Sequence, residues 1–205
     1  MNAKKFSIIT LGDMNAGKTS IIKKFLKSNE SVCSANGATI GVDFFHKDLT
    51  INNTKITLSI YDTSGQERFA GITANYYKRS QGVIMVFDLT NNDSFSHVDR
   101  WLNQLKVQHD IKDLRLVLLG NKSDLTDEIV VSDVEATKCA ELIGIKYFKT
   151  SAKTGTNIDE AINYLTIELM KKDDNALDSV FNVNEARIDL TKHHDNKNKK
   201  KKCCN

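Results

Sequence analysis

The chain has 205 residues, 40% hydrophobic and 27% charged, with a formal charge of +3, four cysteines and no proline. That length suits one domain with a substantial core plus a tail, and no apolar run approaches the ~20 residues of a membrane span. From Lys171 onward there are nine basic and six acidic residues, which accounts for the whole +3 and leaves a neutral body, so composition argues against a nucleic-acid surface.

Taken in order, Phe6–Leu11 is an apolar run that reads as a buried strand. It is too short for a signal peptide and is broken by Gly12 and Asp13. Lys18–Lys27 reads as a helix, because Ile21, Ile22, Phe25 and Leu26 fall at helical spacing. Residues 28 to 38 are polar and read as a loop. A strand is expected from Thr39 to about Ile51, a turn at Asn52-Asn53, and a returning strand over Lys55–Tyr61 with Ile56, Leu58 and Ile60 on one face. Gly82–Phe87 is a further buried run. Phe95, Val98, Trp101, Leu102 and Leu105 predict a helix capped by Asp93 or Ser94. Leu114–Leu119 predicts a strand, Val134–Ile143 a helix with Ser132 as N-cap and Gly144 as its stop, Ile145–Phe148 a last strand, and Asn157–Lys171 the closing helix. Buried strands alternating with helices predict an α/β fold, a mostly parallel sheet covered on both faces. Ligands of such sheets sit at the carboxyl ends of the strands.

The chemistry-bearing stretches all fall at those ends. Gly12-Asp13-Met14-Asn15-Ala16-Gly17-Lys18-Thr19 lies between strand and helix, and with Ser20 it makes a candidate phosphate cradle. Two glycines let successive N–H groups converge, and the helix N-terminus adds positive potential. Lys18 would place its charge on the β- and γ-phosphates, and the Thr19 hydroxyl can hold Mg²⁺. G-x₄-G-K-[ST] should arise by accident in roughly one chain in a hundred of this length. Asp62-x-x-Gly65 means little alone, but beside the cradle Asp62 can reach Mg²⁺ through water and the Gly65 N–H can approach a γ-phosphate. Gln66 can then orient an attacking water. Asn121-Lys122-Ser123-Asp124 bears on the base. A carboxylate at Asp124 matches the paired N1–H and N2–H₂ of guanine, whereas adenine offers an acceptor at N1 and no 2-amino group. Ser151-Ala152-Lys153 can present the Ala152 N–H to the guanine O6.

This ordered set, G-x₄-G-K-T, Thr39, D-T-S-G-Q-E, N-K-S-D and S-A-K, resembles the Ras superfamily of small GTPases. Ile40-Gly41-Val42-Asp43-Phe44, Gln66-Glu67-Arg68-Phe69, Tyr76-Tyr77-Lys78-Arg79 and the terminal twin cysteines resemble the Rab branch. The resemblance covers about residues 5 to 172. It implies a three-layer Ras-like P-loop NTPase fold with a six-stranded, mostly parallel sheet, GTP/GDP cycling with Mg²⁺, and two loops, near 30–44 and 64–78, ordered by the γ-phosphate. By the same resemblance Thr39 would join Thr19 and Asp62 around Mg²⁺, and Gln66 with Lys18 would serve hydrolysis. Ile40, Gly41, Val42, Asp43, Phe44, Tyr61 and Phe69 would meet effectors. An exchange factor, a GAP and a GDI-type escort are the other partners it implies, for a monomer that regulates vesicle-mediated transport.

Three departures from the family pattern carry expectations. Met14 stands where a small residue is common, so intrinsic and GAP-stimulated hydrolysis should be slow; the alternative is a binding module that holds GTP and scarcely turns it over. Asn15 replaces a small residue, though Asn tolerates positive φ. The loop before Thr39 looks about two residues longer than usual, and Val32 stands where an aromatic stacks on the base, so nucleotide binding should be weaker.

Residues 1–172 are thus expected as the GTPase domain and 173–205 as a flexible tail. Lys199–Lys202 followed by Cys203-Cys204-Asn205 resembles a doubly geranylgeranylated end, not a CaaX box, and the lysines favour an anionic leaflet. Cys33 and Cys139 are isolated, as reduced cytosolic thiols would be. The expected place of work is the cytoplasmic face of an intracellular or plasma membrane, in exchange with the cytosol.

Overall fold

The computed structural model describes residues 3–27, 39, 41–65, 76–108 and 110–191, those from 175 onward by backbone alone. In chain order they form β1 (Lys4–Leu11), α1 (Lys18–Lys27), β2 (Val42–Ile51), β3 (Thr54–Thr63), β4 (Gly82–Asp88), α2 (Asn92–Ser96), α3 (Val98–Gln108), β5 (Arg115–Asn121), α4 (Asp133–Ile143), β6 (Lys146–Lys149) and α5 (Ile158–Thr191). The sheet has six strands in the order β2-β3-β1-β4-β5-β6. Every neighbouring pair is parallel except β2 with β3.

Burial explains the order. Every residue of β4 is buried, as a central strand covered on both faces must be, whereas β2 is half-buried or exposed along its length and stays at the edge. Ile56, Leu58 and Ile60 of β3 point into the core, as their period-2 spacing predicts. On one face Ile9, Leu11, Val83, Met85, Phe87 and Leu118 share a cluster with Val98, Trp101, Leu102 and Leu105 of α3 and Ala136 and Ala140 of α4. On the other face a Cβ placed on Gly82 would touch Ile8, Leu165 and Leu169, which sets α5 against β1 and β4. Burying each such aliphatic side chain contributes about 1.5–3 kcal/mol. The β2–β3 hairpin turns on Asn52 and Asn53, both left-handed (φ 49° and 61°), the pairing whose twist matches that of the strands.

Two expectations need correction. The cap before α2 is neither Asp93 nor Ser94 but Asn91, whose side chain accepts from the N–H groups of both. Ser94 is instead buried, its hydroxyl accepting from Asp88 N–H, and the helix breaks at His97 before α3 begins. The closing helix does not stop near Lys171 but runs to Thr191, so residues 173–191 of the expected flexible tail are helical. No glycine or proline follows Gly155, and without a breaker helical hydrogen bonding propagates. The chain divides into two compact units, Met1–Leu169 and Met170–Asn205. The first holds the sheet; of the second, Met170–Asp174 and the helical backbone from 175 to 191 are described.

Candidate functional site: the loops at the carboxyl ends of the strands

The loop from Gly12 to Thr19 links β1 to α1. Gly12 has φ +141°, and a Cβ there would lie 2.0 Å from the Val86 carbonyl oxygen, so the loop is pressed onto the backbone of β4 and only glycine fits. Asn15 takes a left-handed conformation (φ 65°), which asparagine tolerates. Lys18 is buried, and its ammonium donates to the carbonyls of Gly12 and Asp13, both at 2.8 Å. Burial pulls its pKa down to about 8, against the opposing pull of Asp62 and Asp13. The loop is therefore curled around one cation.

Beside it three oxygens converge from separate elements. Thr19 Oγ1 lies 2.8 Å from Thr39 Oγ1 and donates to Asp62 Oδ2. Asp62, fully buried at the end of β3, accepts a second bond at Oδ1 from Thr10 at 3.0 Å. Thr10 is held in turn by Thr63, which donates to it through both its N–H and its hydroxyl. Burial raises the Asp62 pKa, and the hydrogen bonds from Thr19 and Thr10 partly offset that. A cavity of about 140 Å³ opens here, lined by Met14, Asn15, Gly17, Lys18, Thr39 and Gly65 among others, with Ser20 at its rim in the first turn of α1. The donor set of two hydroxyls and one carboxylate fits Mg²⁺, which takes few protein oxygens and keeps water or phosphate for the rest. Among the described residues no group of three or more His, Cys, Asp or Glu side chains could cage a softer metal. A larger cavity of about 950 Å³ lies at the ends of α3 and α4, but it is lined by none of the strand-end motifs.

The loops holding Asn121–Asp124 and Ser151–Lys153 are tied to the Gly12–Thr19 loop by one buried amide. Asn121 Nδ2 donates to the Ala16 carbonyl at 2.9 Å, and Asn121 Oδ1 accepts from Ala152 N–H at 3.0 Å. A Cβ on Gly17 would strike that same amide at 2.1 Å. Asp124 accepts from the Ser151 hydroxyl at 2.5 Å with Lys153 Nζ at 3.8 Å, and the Ser151 bond leads the causes that hold its pKa below the usual range. Lys122, left-handed at φ 69°, pairs with Asp88 Oδ2 at 2.6 Å.

The candidate residues thus gather at one edge of the sheet, from β1, β3, β5 and β6. Asp13 gives its backbone to the cradle, but its carboxylate turns away toward α3. Gly41 is buried and its carbonyl accepts from Ser64 N–H at 2.8 Å, while Val42, Asp43 and Phe44 begin β2. Phe44 is half-exposed and stacks on Tyr61 (5.2 Å between centroids), which packs on Tyr76 (4.9 Å). Gln66, Phe69, Ile40, Val32, Cys203 and Cys204 lie outside the described residues. Sequence reasoning missed Thr10 and Asp88. A lone hydroxyl in the apolar run 6–11, and an acid closing the buried run 82–87, were the signals.

The Ras family model matches residues 7–171. Ras-related protein Rab-1D of Dictyostelium discoideum is 40% identical over 155 residues, covering 76% of this chain and 74% of its own. Ras-related protein Rab-8B of Pongo abelii is 37% identical over 167 residues (82% and 79%), and RABA4b of Arabidopsis thaliana is 36% identical over 164 (80% and 72%). The chain belongs to the Rab branch of the Ras superfamily, and it is a GTPase.

Proposed function

We propose that the chain is a membrane-anchored switch in vesicle-mediated transport, binding GTP with Mg²⁺ and turning itself off by hydrolysis. The observation that carries this reading is the convergence of Lys18, the Thr19–Thr39–Asp62 oxygens and Asp124 on one sheet edge, joined by Asn121. Lys18 would hold the β- and γ-phosphates, the residues from Asp13 to Ser20 would offer N–H groups, and Thr19, Thr39 and Asp62 would hold Mg²⁺, which neutralises phosphate charge when bound. Gly65 would approach the γ-phosphate and Gln66 would orient water. Asp124 would read guanine, with Asn121, Lys122, Ser151, Ala152 and Lys153 framing the base. Effectors would dock on Ile40 to Phe44 and Phe69, and Cys203 and Cys204 would carry geranylgeranyl groups, with a GDI-type escort keeping the lipidated protein soluble between membranes. The purified protein should bind GDP and GTP with Mg²⁺ and resist competition by ATP. Uptake of ATP as readily as GTP would overturn the reading.

A second reading is favoured by Met14, which is 52% exposed and lines the same cavity as Thr39 and Gly65. A long side chain there would compete with a hydrolytic water for the cavity, leaving a slow switch that acts mainly by holding GTP. Single-turnover hydrolysis should rise at least severalfold in Met14→Ser; an unchanged rate would reject crowding as the cause.

A further inference from the structure

We propose that Asp13 is a positioning residue through which α3 sets the phosphate loop, so that helix and loop hold nucleotide as one body. This rests on the guanine-nucleotide reading of the loop. Asp13 Oδ1 accepts from the Trp101 indole N–H at 2.8 Å and from Arg100 at 3.3 Å, and Oδ2 accepts from His97 Nδ1 at 2.6 Å. An ionised carboxylate only accepts, so in this contact the ring hydrogen sits on Nδ1. The carbonyl of the same residue accepts from Lys18 Nζ at 2.8 Å. Its peptide also lies under Gly65: a Cβ there would stand 2.3 Å from the Asp13 carbonyl carbon and 2.2 Å from the Met14 nitrogen. One residue thus touches α3, the phosphate-binding lysine and the loop that leaves β3.

The geometry makes that contact mechanical. Trp101 is buried among the apolar residues of α3 and the sheet, so its ring cannot turn freely, and its N–H is its only polar atom. Without Asp13 that part-buried donor would lose its protein partner. Displacing α3 must therefore drag the Asp13 carboxylate, and with it the carbonyl that seats Lys18. His97 and Arg100 are each about half in solvent and screened, so the indole bond carries most of the coupling. A merely structural role, satisfying a buried indole, would lower the melting temperature and leave nucleotide release from the folded protein unchanged.

Trp101 is the sole tryptophan of the chain, so tryptophan emission, excited selectively over tyrosine, comes from the ring that makes this contact. Stripping GDP and Mg²⁺ from the wild-type full chain with EDTA, then restoring both, should move the emission reversibly; a flat trace overturns the proposal. Release of a fluorescent GDP analogue at excess Mg²⁺ should be about tenfold faster in Asp13→Ala and severalfold faster in Trp101→Phe, with the double variant no faster than Asp13→Ala alone. Asp13→Asn, which keeps an acceptor for the indole, should recover most of the loss. Wild-type release rates in Asp13→Ala, or additive effects in the double variant, overturn the proposal. Should Asp13→Ala not fold, Trp101→Phe and the wild-type emission decide. If the wild type takes up no guanine nucleotide, the functional reading falls and this one with it; if it does so and Asp13→Ala releases at the wild-type rate, only this one falls.

Discussion

A buried ammonium is the most costly single choice at the residue scale. Lys18 has a pKa of about 8 in the fold against 10.5 in the open chain, so over that interval the unfolded state binds the extra proton. Below pH 8 both states carry the charge and the native one bears its desolvation. Above 10.5 both are neutral and the cost is gone. We therefore expect Lys18 to add about 3 kcal/mol to the stability of the nucleotide-free protein as pH rises from 8 to 10.5. Urea titrations of wild type and Lys18→Met at both ends of that range isolate this part, because the methionine variant lacks it. At Gly12 the geometry allows no such exchange. Gly12→Ala would drive a methyl into the Val86 carbonyl at a positive φ, and we expect it to lose several kcal/mol or fail to fold, read by circular dichroism. The cradle itself was legible because its residues are contiguous. The Asp13 clamp was not, since its partners stand 84 to 88 positions away and no local pattern marks them.

Helix ends divide in the same way at the scale of the element. The α4 start was legible because Ser132 and Glu135 exchange bonds within four residues: the Ser132 hydroxyl accepts from Glu135 N–H, and the Glu135 carboxylate accepts from Ser132 N–H. Ser132→Ala should cost about 1 kcal/mol, measured as a shift of the denaturant midpoint with unchanged slope. The α2 start was misread because Asn91, Asp93 and Ser94 are all good caps. What decided between them was Asp88, at the end of β4, whose N–H claims the Ser94 hydroxyl. The hairpin turn offers a cleaner test. Asn52→Ala places a Cβ-bearing residue with no local hydrogen-bonding side chain at φ 49°, and should cost about 1 kcal/mol by the same measurement. The length of α5 was illegible for a different reason. Polar composition signals a tail, but polar residues can stay helical, and neither glycine nor proline follows Gly155 to interrupt the helix.

The whole molecule was the most legible scale, since alternating buried strands and amphipathic helices leave few ways to wind a parallel sheet. How the strand-end loops brace one another was hidden until the chain had folded. Nucleotide should stabilise the whole domain, because it binds only the assembled loops. At a hundred times its Kd the gain is about 2.7 kcal/mol, which should raise the melting temperature by roughly 5–10 °C. A melting curve indifferent to GDP and Mg²⁺ would contradict that.

The Asn121 carboxamide has a chemical consequence for ligand design. Its two ends hold the Ala16 and Ala152 peptides, so whichever half of a nucleotide arrives first should pre-shape the pocket for the other. A pyrophosphate fragment and a guanosine fragment should therefore each bind poorly alone and help one another when added together. An inhibitor grown from either half would gain affinity abruptly once it spans the amide, not in proportion to its size.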